Sequence, residues 1–200
     1  MGRRIGIWGG AFDPIHVGHL ILAQEAVDAC QLDQLVWIPC GDPPHKAGPI
    51  ASGADRARMI ELAIEGTEAF DLSSAEIDRQ GKSYTARTLE KVRADIDYAD
   101  QLFLLIGADN AVDFGNWLEP DRVLELARVV VFSRPGVLLA DIPPRYRGEM
   151  RFLDTPMFEV SSTAIRKRLT ERVSIRHWVP ESVRLFIQRN RLYHGNCSDG

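Results

Sequence analysis

Apolar residues recur along the chain in two alternating rhythms. Arg4 to Trp8 forms a short apolar run that ends at Gly9-Gly10, which reads as a buried first strand. Leu20, Ala23, Val27 and Cys30 then repeat at helical spacing. Leu35 to Ile38, closed by Pro39, predicts a second strand. Ser52 and Asp55 have the spacing of a capping box, ahead of Met59, Leu62, Ala63 and Gly66 on one helical face. A third strand is expected over Leu72 to Ile77, and Leu89, Val92 and Ile96 mark another helix. Leu102 to Ile106 ends at Gly107, and Val129 to Phe132 ends at Arg134-Pro135-Gly136; both predict strands. A short last strand at Phe152 and Leu153 precedes two helices. One starts at about Ser162, the other at Pro180, a residue suited to a first helical position. The Pro- and Gly-rich stretches 39–53 and 133–148 read as loops.

Short apolar strands joined by helices predict an α/β fold: a Rossmann-like open parallel sheet with helices on both faces. Ligands in such sheets sit at the carboxyl ends of the strands, where the strand order reverses. The chain of 200 residues is long enough for one sizeable core and shows no internal repeat. A single domain is expected over residues 1–194, with 195–200 as a mobile polar tail.

Composition narrows the partners. A formal net charge of -4 argues against broad binding to a nucleic-acid backbone, which needs a basic face. No apolar run approaches the about 18 residues of a membrane span. The start, MGRRIGIWGG, reaches glycine too soon for a signal peptide. Cys30, Cys40 and Cys197 are widely spaced and form no CxxC pair, so they read as reduced thiols of a cytoplasmic protein.

The candidate chemistry begins at GGAFDPIHVGHL, residues 9–20. Gly9 and Gly10 lack a Cβ and let a ligand approach the backbone. A helix N-terminus follows, with N–H groups and partial positive charge that attract phosphate. His16 and His19 add donors at its mouth, and charge when protonated. Two histidines at this spacing also suit weak metal binding, but no third ligand lies nearby in sequence. A second phosphate grip is offered by VSSTAIRKRL, residues 160–169, where Ser161 or Ser162 can cap a helix that carries Arg166 early. Three further stretches supply groups for a second substrate. PCGDPPHK, residues 39–46, holds Lys46, a flexible point charge, beside His45. EIDRQGKSYTARTL places Ser83, Tyr84 and Thr85 at a helix start whose N–H groups can take a carboxylate. GADNAVDFGNW leaves a strand with Asp109 near its end and Trp117 further on, an indole suited to stacking a flat ring.

The first stretch resembles the GxFDPxHxGH signature of the nucleotidyltransferase superfamily, whose HxGH histidines stabilise the phosphates of a nucleoside triphosphate. The second is similar to its ISSTxIR string, with Val160 in place of the common isoleucine. Together with PPHK, SYTxxTL and GxDxxxxFxxW, the chain resembles the bacterial nicotinate mononucleotide adenylyltransferases from residue 3 to about residue 193. That resemblance implies adenylyl transfer from ATP to nicotinate mononucleotide in NAD biosynthesis. It implies His16, His19, Lys46 and Arg166 as catalytic groups. ATP would meet Gly9, Gly10, Ala11, Phe12, His16, His19, Gly107, Asp109, Ser161, Ser162, Thr163 and Arg166. Nicotinate mononucleotide would meet Lys46, Tyr84, Thr85, Trp117 and Arg134. Mg²⁺ would bridge triphosphate oxygens, with no dedicated carboxylate cage in the chain. Ala11 replaces a common threonine and removes one hydroxyl beside the phosphates. Three alternatives stand beside this reading: nicotinamide mononucleotide as acceptor, phosphopantetheine as acceptor, and a non-catalytic nucleotide-binding module. Phosphopantetheine adenylyltransferases share the first motif and have no need of the SYT and Trp117 elements. A class I aminoacyl-tRNA synthetase is disfavoured because no KMSKS-type loop is present.

Overall fold

A computed structural model describes residues 2–42, 50–79, 81–133, 136–156 and 159–193. Its strands are β1 (Arg4–Gly10), β2 (Gln34–Pro39), β3 (Phe70–Leu72), β4 (Gln101–Gly107), β5 (Arg128–Phe132) and β6 (Arg151–Leu153). All pair in parallel, in the order β3-β2-β1-β4-β5-β6. The chain builds outward from β1 through β2 to β3, then returns to the other side of β1 for β4. The strand order therefore reverses between β1 and β4, and a crevice opens beyond their carboxyl ends.

Alternation along the strands sorts the core into two layers. Phe103, Leu105, Val130 and Phe132 point to one face, where they meet α1 (Val17–Cys30), α2 (Gly53–Ile64), α7 (Ser162–Thr170) and α8 (Glu181–Arg189). Leu102, Leu104, Ile106, Val129 and Val131 point to the other. That face is covered by α3 (Thr85–Asp95), α4 (Ala108–Val112), α5 (Pro120–Leu126) and α6 (Pro144–Arg147). Helices thus cover both faces of one open parallel sheet, as the periodicity predicts. Helix starts also follow local chemistry. Ser52 accepts from the Asp55 N–H at 3.1 Å to cap α2. Pro180 stands at the N-cap of α8, one position ahead of where the sequence places it.

Two expectations are corrected. The third strand is Phe70–Leu72, not Leu72 to Ile77. Beyond Leu72 the Ser74 hydroxyl bonds Asp78, and the Ile77 and Asp78 N–H groups turn back to the Ser74 carbonyl, so local bonds replace the ladder. The stretch 133–148 is not all loop, because α6 lies within it. Helices α4, α5 and α6 have no counterpart in the sequence reading. With four to seven residues each, they are too short for a helical period to show.

Candidate active site

A cleft of about 690 Å³ fills the crevice, within the range of small-molecule sites. Its floor is the turn from β1 into α1. Gly9 faces open space where a side chain would stand, so a ligand can reach the strand end. At the neighbouring strand end, a Cβ on Gly107 would meet the Asp109 carboxylate at 2.6 Å. Phe12 holds a left-handed backbone at φ 49° with its ring buried, an unusual state for a bulky residue.

His16 is the N-cap of α1, and the two histidines cap one another. The His19 N–H donates to His16 Nδ1 at 3.3 Å, and the His16 N–H donates to His19 Nδ1 at 3.2 Å. It is a capping box built from two imidazoles. Both Nδ1 atoms accept, so this network assigns each neutral ring its hydrogen on Nε2. The rings stack with centroids 3.6 Å apart, and Trp8 and Phe12 meet His19 edge-on. The pair is thereby held rigidly, with both residues lining the cleft.

The N-terminus of α7 faces the same cleft. Ser161 accepts from the Ala164 N–H at 3.2 Å as its cap. The Ser162 hydroxyl donates to the Pro14 carbonyl at 2.8 Å, which ties α7 to the first turn. Arg166 donates to the Asp13 carbonyl at 2.7 Å and to Thr163 Oγ1 at 3.2 Å. On the opposite side, Tyr84 is the N-cap of α3 with no side-chain cap bond, which leaves first-turn N–H groups without that partner. Trp117 packs at 5.1 Å against the buried Phe114.

Gly9, Gly10, Ala11, Phe12, His16, His19, Tyr84, Thr85, Gly107, Asp109, Trp117, Ser161, Ser162, Thr163 and Arg166 all line this cleft. Lys46 and Arg134 lie outside the described residues, as do His45, Cys197 and the tail. Among the described residues, no three His, Cys, Asp or Glu side chains come together as a metal cage. No helix there is long and apolar enough to cross a membrane. Cys30 and Cys40 are free thiols, and burial pushes both above the ordinary thiol range.

Several residues escaped the sequence reading. Asp13 is buried and acts as a hub: it accepts from the Ile50 N–H (2.8 Å), the Ala51 N–H (3.1 Å) and the Tyr193 hydroxyl (2.7 Å). Arg56 is buried under the first turn. Glu76, buried at the cleft wall, accepts from Thr88, whereas Ser83, expected at a helix start, accepts from the Gly41 N–H at 3.1 Å. Two of them left a trace in sequence: Asp13 stands within the FDP of the first signature, and Arg56 falls on the apolar face of α2 with Met59 and Ile60.

Burial, then the bond to Asp13, holds the Tyr193 hydroxyl far above the ordinary phenol range. An unfolded chain releases this proton above pH about 10, whereas the folded chain keeps it. The folded state then binds more protons, so the contribution is full below pH about 10 and is lost as pH rises. Tyr193→Phe should therefore lower the thermal midpoint at neutral pH and fall less steeply than the parent above pH about 10. Equal alkaline slopes for the two proteins would show that Tyr193 ionises as freely in the fold as outside it.

The cytidylyltransferase-like family model matches residues 7–168. A protein of Halalkalibacterium halodurans named "Probable nicotinate-nucleotide adenylyltransferase" is 42% identical, covering 98% of this chain and 94% of its own. One of the same name from Thermus thermophilus is 40% identical, covering 95% and 99%. Among solved structures, the nicotinic acid mononucleotide adenylyltransferase of Plasmodium falciparum complexed with NaAD shares the fold. Its TM-score is 0.77 at 16% identity, with 96% of this chain and 97% of that chain covered. The chain belongs to the cytidylyltransferase-like family and, within it, to the nicotinate-nucleotide adenylyltransferases.

Proposed function

We propose that the protein transfers the adenylyl group of ATP to nicotinate mononucleotide, giving nicotinate adenine dinucleotide and pyrophosphate. The observation that carries this reading is convergence: the starts of α1, α3 and α7 all open onto the cleft that Trp117 also lines. Two of these starts bear cationic or imidazole donors, which suits a triphosphate. The third offers backbone donors beside an aromatic face, which suits a carboxylate on a flat ring.

In this mechanism the acceptor's 5′-phosphate oxygen attacks the α-phosphorus of ATP. A new P–O bond forms, the bond to the β-phosphate oxygen breaks, and pyrophosphate leaves with its electron pair. A phosphate monoester is already largely dianionic at neutral pH, with a second pKa of about 6, so no strong base is required. The protein positions and neutralises charge. His16 and His19 donate through Nε2–H to the transferring and leaving phosphates. Arg166 and the segment Ser161-Ser162-Thr163 hold the pyrophosphate side, and Gly9, Gly10, Ala11 and Phe12 let ATP lie against the backbone. Gly107 and Asp109 border the nucleotide. Tyr84 and Thr85 receive the nicotinate carboxylate, Trp117 stacks on the pyridine, and Lys46 and Arg134 draw in its anionic groups. The donors at the phosphate end are chiefly N–H groups, which fits a metal ion carried on ATP itself. Mg²⁺ would be held by triphosphate oxygens and water, and it supplies neutralisation of the triphosphate charge. A single domain over residues 1–194, acting in the cytoplasm, carries this activity.

The test is pyrophosphate release with ATP and Mg²⁺ and each of three acceptors. Nicotinate mononucleotide should exceed nicotinamide mononucleotide by at least about 100-fold in kcat/KM, because donors set for a carboxylate meet the wrong partner in the amide. Preference for the amide or for phosphopantetheine would overturn the acceptor assignment. ATP binding without pyrophosphate release from any of the three would indicate a binding module.

A further inference from the structure

Arg56 sits in the first turn of α2 and is only 2% exposed. A guanidinium on the apolar face of a helix is costly to bury. Methionine or leucine would fill the place without that cost. All three donor nitrogens are nevertheless engaged. Nη1 donates to the Ala11 carbonyl at 2.8 Å, Nη2 to the Cys40 carbonyl at 2.6 Å, and Nε to the Ala51 carbonyl at 3.3 Å. The acceptors belong to three separate segments: the turn after β1, the residue after β2, and the approach to α2. These bonds run to carbonyls and, among the described residues, to no carboxylate. The guanidinium charge therefore lies beneath the first turn, with the Asp13 carboxylate across Ala51 from it.

We propose that Arg56 is a positioning residue that sets the phosphate-binding turn after β1 and charges it from below; this rests on the adenylyl-transfer reading above. The geometry gives it two levers. The first is position. Ala51 is gripped from both ends, its N–H by Asp13 and its carbonyl by Arg56, which also grips Ala11. Asp13, Ala51, Arg56 and Ala11 thus close a ring around the turn that leads to His16. The second is polarisation. The peptide whose oxygen meets Nη1 also carries the N–H of Phe12, a residue that lines the cleft. A charge-assisted bond at its oxygen makes that N–H a stronger donor to an anion.

Two substitutions separate the levers. Arg56→Met removes the charge and the fork, and fills the same space. Its kcat should fall about 100-fold, as expected for a small misplacement of donors. Its calorimetric affinity for ATP should fall about tenfold, from loss of a nearby positive charge. Arg56→Lys keeps the charge on a single ammonium that cannot span three carbonyls. It should hold ATP nearly as tightly as the parent and still turn over slowly. A purely structural role would lower the thermal midpoint and leave the folded protein's kcat and ATP affinity unchanged in both variants. That result overturns the proposal, as does failure of both variants to fold. Equal loss of ATP affinity in the two would overturn the charge lever. If the parent protein released no pyrophosphate with nicotinate mononucleotide, the adenylyl-transfer reading would fall. The contrast in ATP affinity between the Met and Lys variants would still decide the role of Arg56.

Discussion

His19→Ala is expected to lower kcat/KM for pyrophosphate release by about 10²–10³-fold, the usual cost of one preorganised donor. The loss of stability should be only about 1 kcal/mol, because one half of the capping box remains. The two effects are separable, since each ring nitrogen does a different job. Nδ1 accepts from the His16 backbone, and Nε2–H is the donor that the proposed reaction assigns to phosphate. His19→Asn places an oxygen near the site of Nδ1 and leaves no group at Nε2. It should recover the thermal midpoint and stay inactive. His19→Gln places an N–H near the site of Nε2 and gives up the cap acceptor. It should be less stable and more active than the alanine variant. Recovery of activity in His19→Asn would show that the ring serves the helix start and not the phosphates. Thermal melts and steady-state kinetics on the three variants decide this.

Asp13→Ala is expected to cost about 2–3 kcal/mol, because it strips the acceptor from one buried and one half-buried donor, and from a third at an exposed residue. The donors are the Ala51 N–H, the Ile50 N–H and the Tyr193 hydroxyl. Activity should fall with stability. Arg166 donates to the carbonyl of this same residue, and Ser162 donates to the carbonyl of Pro14 beside it. Loosening the hub therefore loosens the first turn and the start of α7 together. Asp13→Asn should be milder, since an amide oxygen can still accept from part of the set. An Asp13→Ala protein that melts like the parent would show that water replaces the carboxylate at no cost. Chemical denaturation, with its slope checked for a change in compactness, measures this.

These expectations draw on different amounts of sequence information. The alternation of Phe103 and Leu105 with Leu102, Leu104 and Ile106 is visible in one short run and predicts a doubly covered strand. The histidine pair is visible because both members lie at one helix start. What stayed hidden in that pair was the reciprocal cap, since the spacing of two histidines does not say which nitrogen faces the backbone. Tyr84 and Thr85 were legible as a helix start, whereas Glu76 and Thr88 were not. Their bond depends on where the turn after β3 folds, and the apolar pattern of that turn predicts strand instead.

Local sequence encodes most of the strand–helix alternation, the parallel sheet and the two helix starts, at His16 and Ser161, that open onto the cleft. Each is encoded by neighbours within a few positions, through side-chain period, glycine punctuation or capping chemistry. The tertiary structure alone decided how these pieces are fastened. Asp13 meets Tyr193 across 180 positions and Arg166 across 153, and Arg56 meets Ala11 across 45. No local period encodes such pairings. They exist only once the sheet has brought the end of β1 beneath α2, α7 and the residues after α8, where each buried donor must find an acceptor.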